Sequence, residues 1–220
     1  MFGRQRCQPR EFIPRHVHRS GYVAIVLSGG YEEAGDVGLV MTAPGNAVFH
    51  AAFDAHLDRV GSKGADILNL ELPAGFSRSC VRTGLDDPDL VMRTAECDAR
   101  EALAMVLQGA FRECTAGENW PDRLAQELRD NLHLEIGAWC SRNGLRPETV
   151  SRRFRTIFGV SPRTFRAHTR VRAARSMLVN DSLPLAGIAS RCGFSDQAHM
   201  TRHMKCVTGA TPKALRRAVK

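Results

Sequence analysis

The stretch IASRCGFSDQAHMTRHMKCVTGATP, residues 188–212, repeats a pattern that lies 50 residues earlier in the chain. A shift by 50 residues places glycines on glycines, basic residues on basic residues and apolar residues on apolar residues. An internal repeat of this kind indicates two copies of one structural unit. The aligned pairs are Val150 and Met200, Ser151 and Thr201, Arg152 and Arg202, Phe154 and Met204, Arg155 and Lys205, Gly159 and Gly209, Ser161-Pro162 and Thr211-Pro212, and Arg166 and Arg216.

Each copy of the repeat predicts two helices joined by a tight turn. One glycine sits in the turn, and a second glycine ends the second helix, where a positive φ is expected. A Ser or Thr followed by Pro then starts the next helix, because the hydroxyl caps the backbone and the first turn does not need the N–H that proline lacks. The residues in these roles are Gly144 and Gly193, Gly159 and Gly209, and Ser161-Pro162 and Thr211-Pro212. This is the helix-turn-helix pattern, present twice.

The positive charge of the chain is concentrated in the half that contains the repeat. The net charge is +8 overall, but residues 129–220 hold 18 Lys and Arg against 5 Asp and Glu, a net charge of +13. Residues 1–128 hold 13 basic and 18 acidic side chains, a net charge of −5. Such an excess of arginine repels itself unless a polyanion neutralises it, and phosphate backbones are the usual polyanion of a cell. We therefore expect double-stranded DNA as the partner of the second half.

The first half of the chain predicts a different structure. Apolar and β-branched runs at residues 22–27, 39–42 and 67–72 are each followed by glycine or proline. Many short strands with tight turns predict a small β-barrel or sandwich. A helical stripe follows, which we expect to pack on the barrel or on a second subunit. Its members are Ala102, Leu103, Val106, Leu107, Ala110 and Phe111.

The second half resembles the AraC/XylS family of bacterial transcription regulators. The resemblance rests on residues 188–212 and on the first copy of the repeat, residues 139–162, joined by a long helix over residues 165–178. Cys140 and Met204 stand where the family usually has a small residue and Phe, and both suit a core. In this family the second helix of each unit enters the major groove, so the resemblance implies a tandem helix-turn-helix domain that binds DNA.

The resemblance also implies which residues contact DNA. These are Glu148, Ser151 and Arg152 in the first unit and Gln197, His199 and Arg202 in the second. Arg suits guanine and Gln suits adenine in the major groove. Phosphates are expected at Arg153, Arg155, Arg163 and Lys205. The two recognition helices are expected in successive major grooves, about 34 Å apart.

The first half is similar to the cupin-type sensor domain that often precedes this DNA-binding module. His16-x-His18 followed by Gly29 matches the first cupin motif, with Tyr22 where metal-binding cupins have a Glu. Gly45 and His56 match the second motif. The resemblance implies a barrel that gathers His16, His18 and His56, and His50 is close enough along the chain to join them. Such imidazoles suit zinc, and copper, iron or nickel are also accepted. The open alternative is a pocket whose histidines bind an organic effector by hydrogen bonds.

These observations predict an α+β protein with two domains. Residues 1–88 form a small cupin-like β-barrel that acts as sensor, residues 89–120 a helical linker that offers a dimerisation surface, and residues 121–220 an all-α tandem helix-turn-helix domain. The predicted function is transcriptional regulation at a DNA operator, without enzymatic activity, under control of a metal or small-molecule effector. RNA polymerase and a second copy of the chain are further expected partners.

Two alternative functions remain open. Seven cysteines without a C-x-x-C pair allow a cysteine-based redox regulator. A cupin metalloenzyme fused to a DNA-binding module is the other alternative. No apolar run reaches the length of a membrane span and no secretory signal precedes the first strand, so a cytoplasmic protein without membrane contact is expected.

Overall fold

The computed structural model describes residues 3–36, 38–73, 75–76, 79–82, 84–108, 119–180 and 182–218. Contacts divide the chain into two compact units, residues 1–115 and 116–220. The first unit contains the strands β1 (Gly3–Cys7), β2 (Phe12–Val17), β3 (Tyr22–Gly35), β4 (Gly38–Met41), β5 (Ala47–His50), β6 (Ala55–Glu71) and β7 (Cys80–Arg82). Its helices are α1 (Pro88–Cys97) and α2 (Ala99–Leu107).

The first unit is built on one antiparallel sheet. Its strands follow the order β1-β6-β3-β5-β7, while β2 pairs with β6 and β4 pairs with β3. The long strands β3 and β6 run side by side, and the short strands extend the sheet from them. Within the described part of the chain the edge strands β1 and β7 do not pair with each other. The sheet is therefore not closed, and the predicted cupin-like β-barrel is not confirmed.

The glycines after residue 27 bend a strand instead of ending it. Ser28, Gly29 and Gly30 lie inside β3, and the pairing register with β6 shifts on both sides of them. Such shifts are β-bulges, which increase the local twist of a strand. Gly29 has a φ of 70°, and its backbone lies so close to the Gly64 carbonyl that a side chain would collide with it.

The predicted apolar stripe of the first unit packs against its own sheet. Ala102 and Val106 on α2 are fully buried in one core with strand residues such as Val23 and Phe49. This burial explains why an amphipathic helix follows the strands. Ala110 and Phe111, the last members of the predicted stripe, fall in residues 109–118, outside the described residues.

The second unit is helical throughout its described part. Its helices are α3 (Trp120–Asp130), α4 (Ile136–Arg142), α5 (Pro147–Phe158), α6 (Pro162–Asn180), α7 (Leu185–Arg191), α8 (Gln197–Thr208) and α9 (Pro212–Ala218). The pairs α4–α5 and α7–α8 are the two helix-turn-helix units, and α6 joins them. No helix in the described ranges is both long and apolar enough to span a membrane.

The predicted helix ends are confirmed in both helix-turn-helix units. Gly159 and Gly209 end α5 and α8 with φ angles of 73° and 75°. The Ser161 hydroxyl accepts a hydrogen bond from the Thr164 N–H at 3.2 Å, and the Thr211 hydroxyl accepts one from the Ala214 N–H at 3.3 Å. The tandem helix-turn-helix architecture therefore follows from caps that the sequence itself encodes.

The helix α6 supports a separate core on each side. Toward the first helix-turn-helix it contributes Phe165, which packs edge-on against Phe154 with ring centroids 5.4 Å apart. Toward the second it contributes Val171 and Leu178, which pack in one cluster with Met204 and other buried residues of α7 and α8. Because both cores include residues of α6, the two recognition helices are held on one scaffold.

Candidate nucleic-acid interface and histidine pocket

One face of α5 is exposed and polar. Val150 and Phe154 point into the core, with 1% and 0% of their surface exposed. Glu148, Ser151, Arg152 and Arg155 instead line one shallow surface depression. Of the residues predicted to contact DNA on this helix, these four therefore lie together. Arg153 is also exposed, but it lies about 100° around the helix from Arg152.

The exposed face of α8 repeats this arrangement. Met200 and Met204 are fully buried, while Gln197, Arg202 and Lys205 are exposed. The Asp196 carboxylate caps the helix by accepting the His199 N–H at 2.7 Å. This hydrogen bond lowers the pKa of Asp196, so the cap is charged at neutral pH.

His199 occupies a different position from the other predicted contact residues. Its ring is half-buried, with Nδ1 at 3.0 Å from the Ser195 hydroxyl and the ring centroid 4.8 Å from that of His203. Thr201 is absent from the predicted contact residues, although the 50-residue shift pairs it with Ser151. The repeat was the signal that could have found it. The contact residues themselves remain predictions.

Three of the four predicted histidines, His16, His18 and His56, line a cavity of about 230 Å³. His16 on β2 is the pairing partner of His56 on β6, and His18 follows β2 directly. Ligand atoms of these three imidazoles all lie within 4.8 Å of one another. The rings are half-buried for His16 and His18 and buried for His56. These three imidazoles form a candidate ligand set for one metal ion.

His50 joins a second ligand set instead of the first. Glu33, His50 and His56 also have ligand atoms within 4.8 Å of one another, and all three are buried. The His50 Nε2 lies 3.4 Å from the Glu33 carboxylate. The predicted four-histidine group is therefore two overlapping sets that share His56.

Buried carboxylates complete this region. Asp58 lines the same cavity as Glu33, and its carboxylate lies 3.7 Å from the His56 Nε2. The Tyr22 hydroxyl, at the position where metal-binding cupins have a Glu, lies 3.3 Å from the same nitrogen. Neither Glu33 nor Asp58 was a predicted site residue. Their signal in the sequence is weak. Glu33 stands beside Glu32, and the amino-acid sequence does not show which of the two side chains points inward.

The electrostatics of the cavity keep the imidazoles of His18 and His56 neutral. Burial, reinforced by His16, lowers the pKa of His18 to about 4, and burial lowers that of His56 well below its usual value. Burial alone would lower the pKa of His50, but the Glu33 carboxylate, together with Asp54 and Asp58, raises that pKa. Burial and then the Glu33 charge raise the pKa of Asp58 to about 8. Neutral imidazole is the form that binds a metal ion.

The described cysteines divide into buried and exposed groups. Cys7, Cys80, Cys140 and Cys192 are buried, whereas Cys97 and Cys206 are exposed. Burial raises the pKa of Cys192 to about 11, and burial also raises the pKa of Cys7 and of Cys140. Raised pKa values make these three thiols poor nucleophiles. Cys114 lies outside the described residues, and the redox alternative remains a prediction.

Comparison with known proteins gives matches to part of the chain. A family model described as "Helix-turn-helix domain" matches residues 139–218. The arabinose operon regulatory protein of Salmonella typhimurium is 31% identical over 94 residues, which are 41% of this chain and 34% of that protein. The virulence regulon transcriptional activator VirF of Yersinia enterocolitica is 27% identical over 101 residues, 44% of this chain and 37% of that protein. The chain thus spans little more than a third of the length of these curated relatives.

A solved structure also resembles part of the chain. The crystal structure of the DNA-binding domain of AdpA, a global transcriptional factor in complex with a target DNA, aligns with a TM-score of 0.42 and 25% identity. The alignment covers 44% of this chain and 90% of the AdpA chain. The names of the two curated relatives describe a regulatory protein of an operon and an activator of transcription.

Proposed function

We propose that the chain is a member of the AraC family through its helical unit, and that the whole protein is a sequence-specific DNA-binding regulator of transcription. The observation that carries the proposal is the duplicated recognition helix. Arg152 on α5 and Arg202 on α8 occupy equivalent positions of the repeat, and both are exposed opposite buried residues.

Each recognition helix combines base-reading and phosphate-binding chemistry. A guanidinium can donate two hydrogen bonds to the O6 and N7 atoms of guanine, and this fits Arg152 and Arg202. Arg155 and Lys205, one turn further along each helix, suit phosphates of the DNA backbone. The operator would then present two sites on one face, about 34 Å apart. RNA polymerase and a second copy of the chain are proposed as further partners.

Selection of duplexes from a random DNA pool by the full-length protein tests this function. We expect an enriched sequence with two conserved blocks, and footprints on that sequence should cover two successive major grooves. Enrichment of no sequence, or protection of one groove only, would contradict the proposal of two DNA-reading helices.

We further propose that the first unit is the sensor and that its histidine pocket binds a divalent transition metal, with zinc as the first choice. His16, His18 and His56 would hold the ion. The residues fit such an ion because buried polar atoms around it lack hydrogen-bond partners among the described residues. These atoms are His18 Nε2, Glu33 Oε1, His56 Nδ1 and Asp58 Oδ1. Unpaired buried polar groups are costly, and a cation would satisfy several of them at once.

The metal would act as a structural link. It would supply a Lewis-acid centre. Because its ligands His16 and His56 come from β2 and β6, the ion would also hold these two strands together. Glu33 and Asp58 place carboxyl groups beside that centre. An organic effector that binds the same histidines by hydrogen bonds is the alternative occupant.

Metal analysis of the purified protein before and after chelation tests the sensor proposal. We expect bound zinc, a lower melting temperature of the first unit after chelation, and a changed affinity for the selected DNA. Protein that retains no metal and whose melting temperature does not respond to added zinc would reject the metal and leave the organic effector.

A further inference from the structure

The helical unit contains a cavity between α6 and α8 that the proposed base contacts do not explain. Its volume is about 340 Å³. The described residues that line it include no acidic side chain. Its basic and imidazole lining residues are Arg163, Arg166, His168, Arg170, His199 and His203. We call this cavity the basic pocket.

Helical spacing explains why these side chains converge. Arg163, Arg166 and Arg170 are three and four residues apart, so they share one face of α6. His199 and His203 are four residues apart on α8, and their ring centroids lie 4.8 Å apart. The pocket is therefore lined by two stripes of basic residues from two helices.

Hydrogen bonds to the main chain hold part of this arrangement in place. Arg166 Nη1 donates to the Leu134 carbonyl at 2.7 Å, and Arg170 Nε donates to the Leu132 carbonyl at 2.8 Å. A guanidinium has five N–H donors, so one carbonyl uses only a part of its capacity. Among the basic residues that line the pocket, Arg163 at the start of α6 is the exposed one.

The arginines of the pocket repel one another, and the positive surroundings disfavour a charge on His203. Burial and then the neighbouring Arg166 charge lower the pKa of Arg170. Burial, followed by His199, Arg202 and other cations, lowers the pKa of His203. Like charges that are held together in this way are stabilised when an anion binds between them.

We propose that the basic pocket binds a phosphate of the DNA backbone beside the major groove that α8 enters. A helix of about 10–12 Å diameter fills a major groove about 12 Å wide, so its flanks face the phosphates. His199 and His203 lie on such a flank, about 60° and 100° around α8 from Arg202. The pocket adds donors from α6 to this flank, and guanidinium groups are well suited to phosphate oxygens.

This inference rests on the proposed DNA-binding function and assigns His199 to a phosphate instead of a base. It predicts an effect that does not depend on base sequence. The effect should appear with the selected duplex and with a random duplex alike, because every duplex has the same backbone.

The test compares full-length wild type with Arg163→Gln, His203→Gln and the double variant. Arg163 and His203 make no hydrogen bond that supports the fold among the described residues, so the variants should fold. Arg123→Gln, which removes an exposed charge on α3, is the matched control. Affinity for the selected and random duplexes is measured over a range of salt concentrations. A series of duplexes with one methylphosphonate each then identifies the phosphate that is bound.

We expect Arg163→Gln to weaken binding to both duplexes by about tenfold. The slope of log affinity against log salt concentration should fall by the amount expected for about one phosphate contact. One methylphosphonate position should weaken wild type but not the double variant. Unchanged affinity in the pocket variants, or a loss limited to the selected sequence, would overturn the inference. Binding of inorganic phosphate without DNA, lost in the double variant, would show a free-anion site instead. Wild type without any sequence preference would instead refute the proposed function, so the two failures are distinguishable.

Discussion

His16 and His56 lie opposite each other on β2 and β6, and their ring centroids are 4.3 Å apart. This pairing brings together residues 40 positions apart in the sequence. It also places His56 in both candidate ligand sets, one with His16 and His18 and one with Glu33 and His50. Substitutions can therefore show which set binds a metal.

Zinc at a concentration about 100-fold above its dissociation constant should stabilise the first unit by about 2.7 kcal/mol. His56→Ala should abolish this stabilisation whichever set holds the ion. We expect His16→Ala to abolish it as well and Glu33→Gln to retain most of it, because the proposed ligands are the three histidines. Calorimetric melting with and without zinc measures the effect, and His133→Ala, an exposed histidine of the other unit, is the control. The reverse pattern would assign the ion to Glu33, His50 and His56.

Arg152→Ala and Arg202→Ala should each reduce the free energy of specific DNA binding by about 1–3 kcal/mol and relax the preference at one base position. Arg155→Ala should weaken all sequences alike, because a phosphate contact carries no base information. Competition binding with single-base variants of the selected duplex measures both effects. Equal losses for all bases in the Arg152 and Arg202 variants would show that these residues bind the backbone.

Gly193→Ala should destabilise the helical unit more than Gly144→Ala. Both glycines have positive φ, 64° at Gly144 and 74° at Gly193, so alanine costs about 1–2 kcal/mol at either position. A Cβ at Gly193 would also lie 2.7 Å from the Leu132 carbonyl oxygen, whereas a Cβ at Gly144 meets no atom within 4 Å. Denaturant unfolding followed by tryptophan fluorescence tests this, since both tryptophans lie in the helical unit. Equal losses would show that the loop between α3 and α4, which contains Leu132, moves away from the added methyl group.

Glu127→Leu should lower the free energy of unfolding by about 1–3 kcal/mol, because it leaves the buried Trp139 N–H without its acceptor. Trp139 Nε1 donates to Glu127 Oε1 at 2.8 Å, and Arg142 donates to Glu127 Oε2 at 2.9 Å. Glu127→Gln keeps an acceptor for Trp139 and loses only an exposed ion pair, which contributes about 0–1 kcal/mol. Thermal unfolding of the two variants separates these contributions. A large loss in Glu127→Gln would assign the stability to the ion pair.

The helical unit could be predicted from the sequence in considerable detail. Gly159, Gly209, Ser161 and Thr211 act within a few residues of their own position, so local chemistry determines where the helices start and end. Arg152 and Arg202 could be identified because helical periodicity places them opposite buried residues. Repetition of the pattern then supplied the second helix-turn-helix.

The sheet unit depended on contacts that the sequence does not display. The glycines after residue 27 could end a strand or bend it, and only the approach of Gly29 to Gly64 across the sheet decides for a bulge. Glu33 joins His50 and His56 because β5 and β6 both pair with β3, which places residues distant in the chain close together. The sequence by itself therefore determined the helix-turn-helix units, whose signals are local. Only the tertiary structure decided the open sheet, the buried carboxylates beside the histidines and the basic pocket, because these arise from pairing and packing between distant segments.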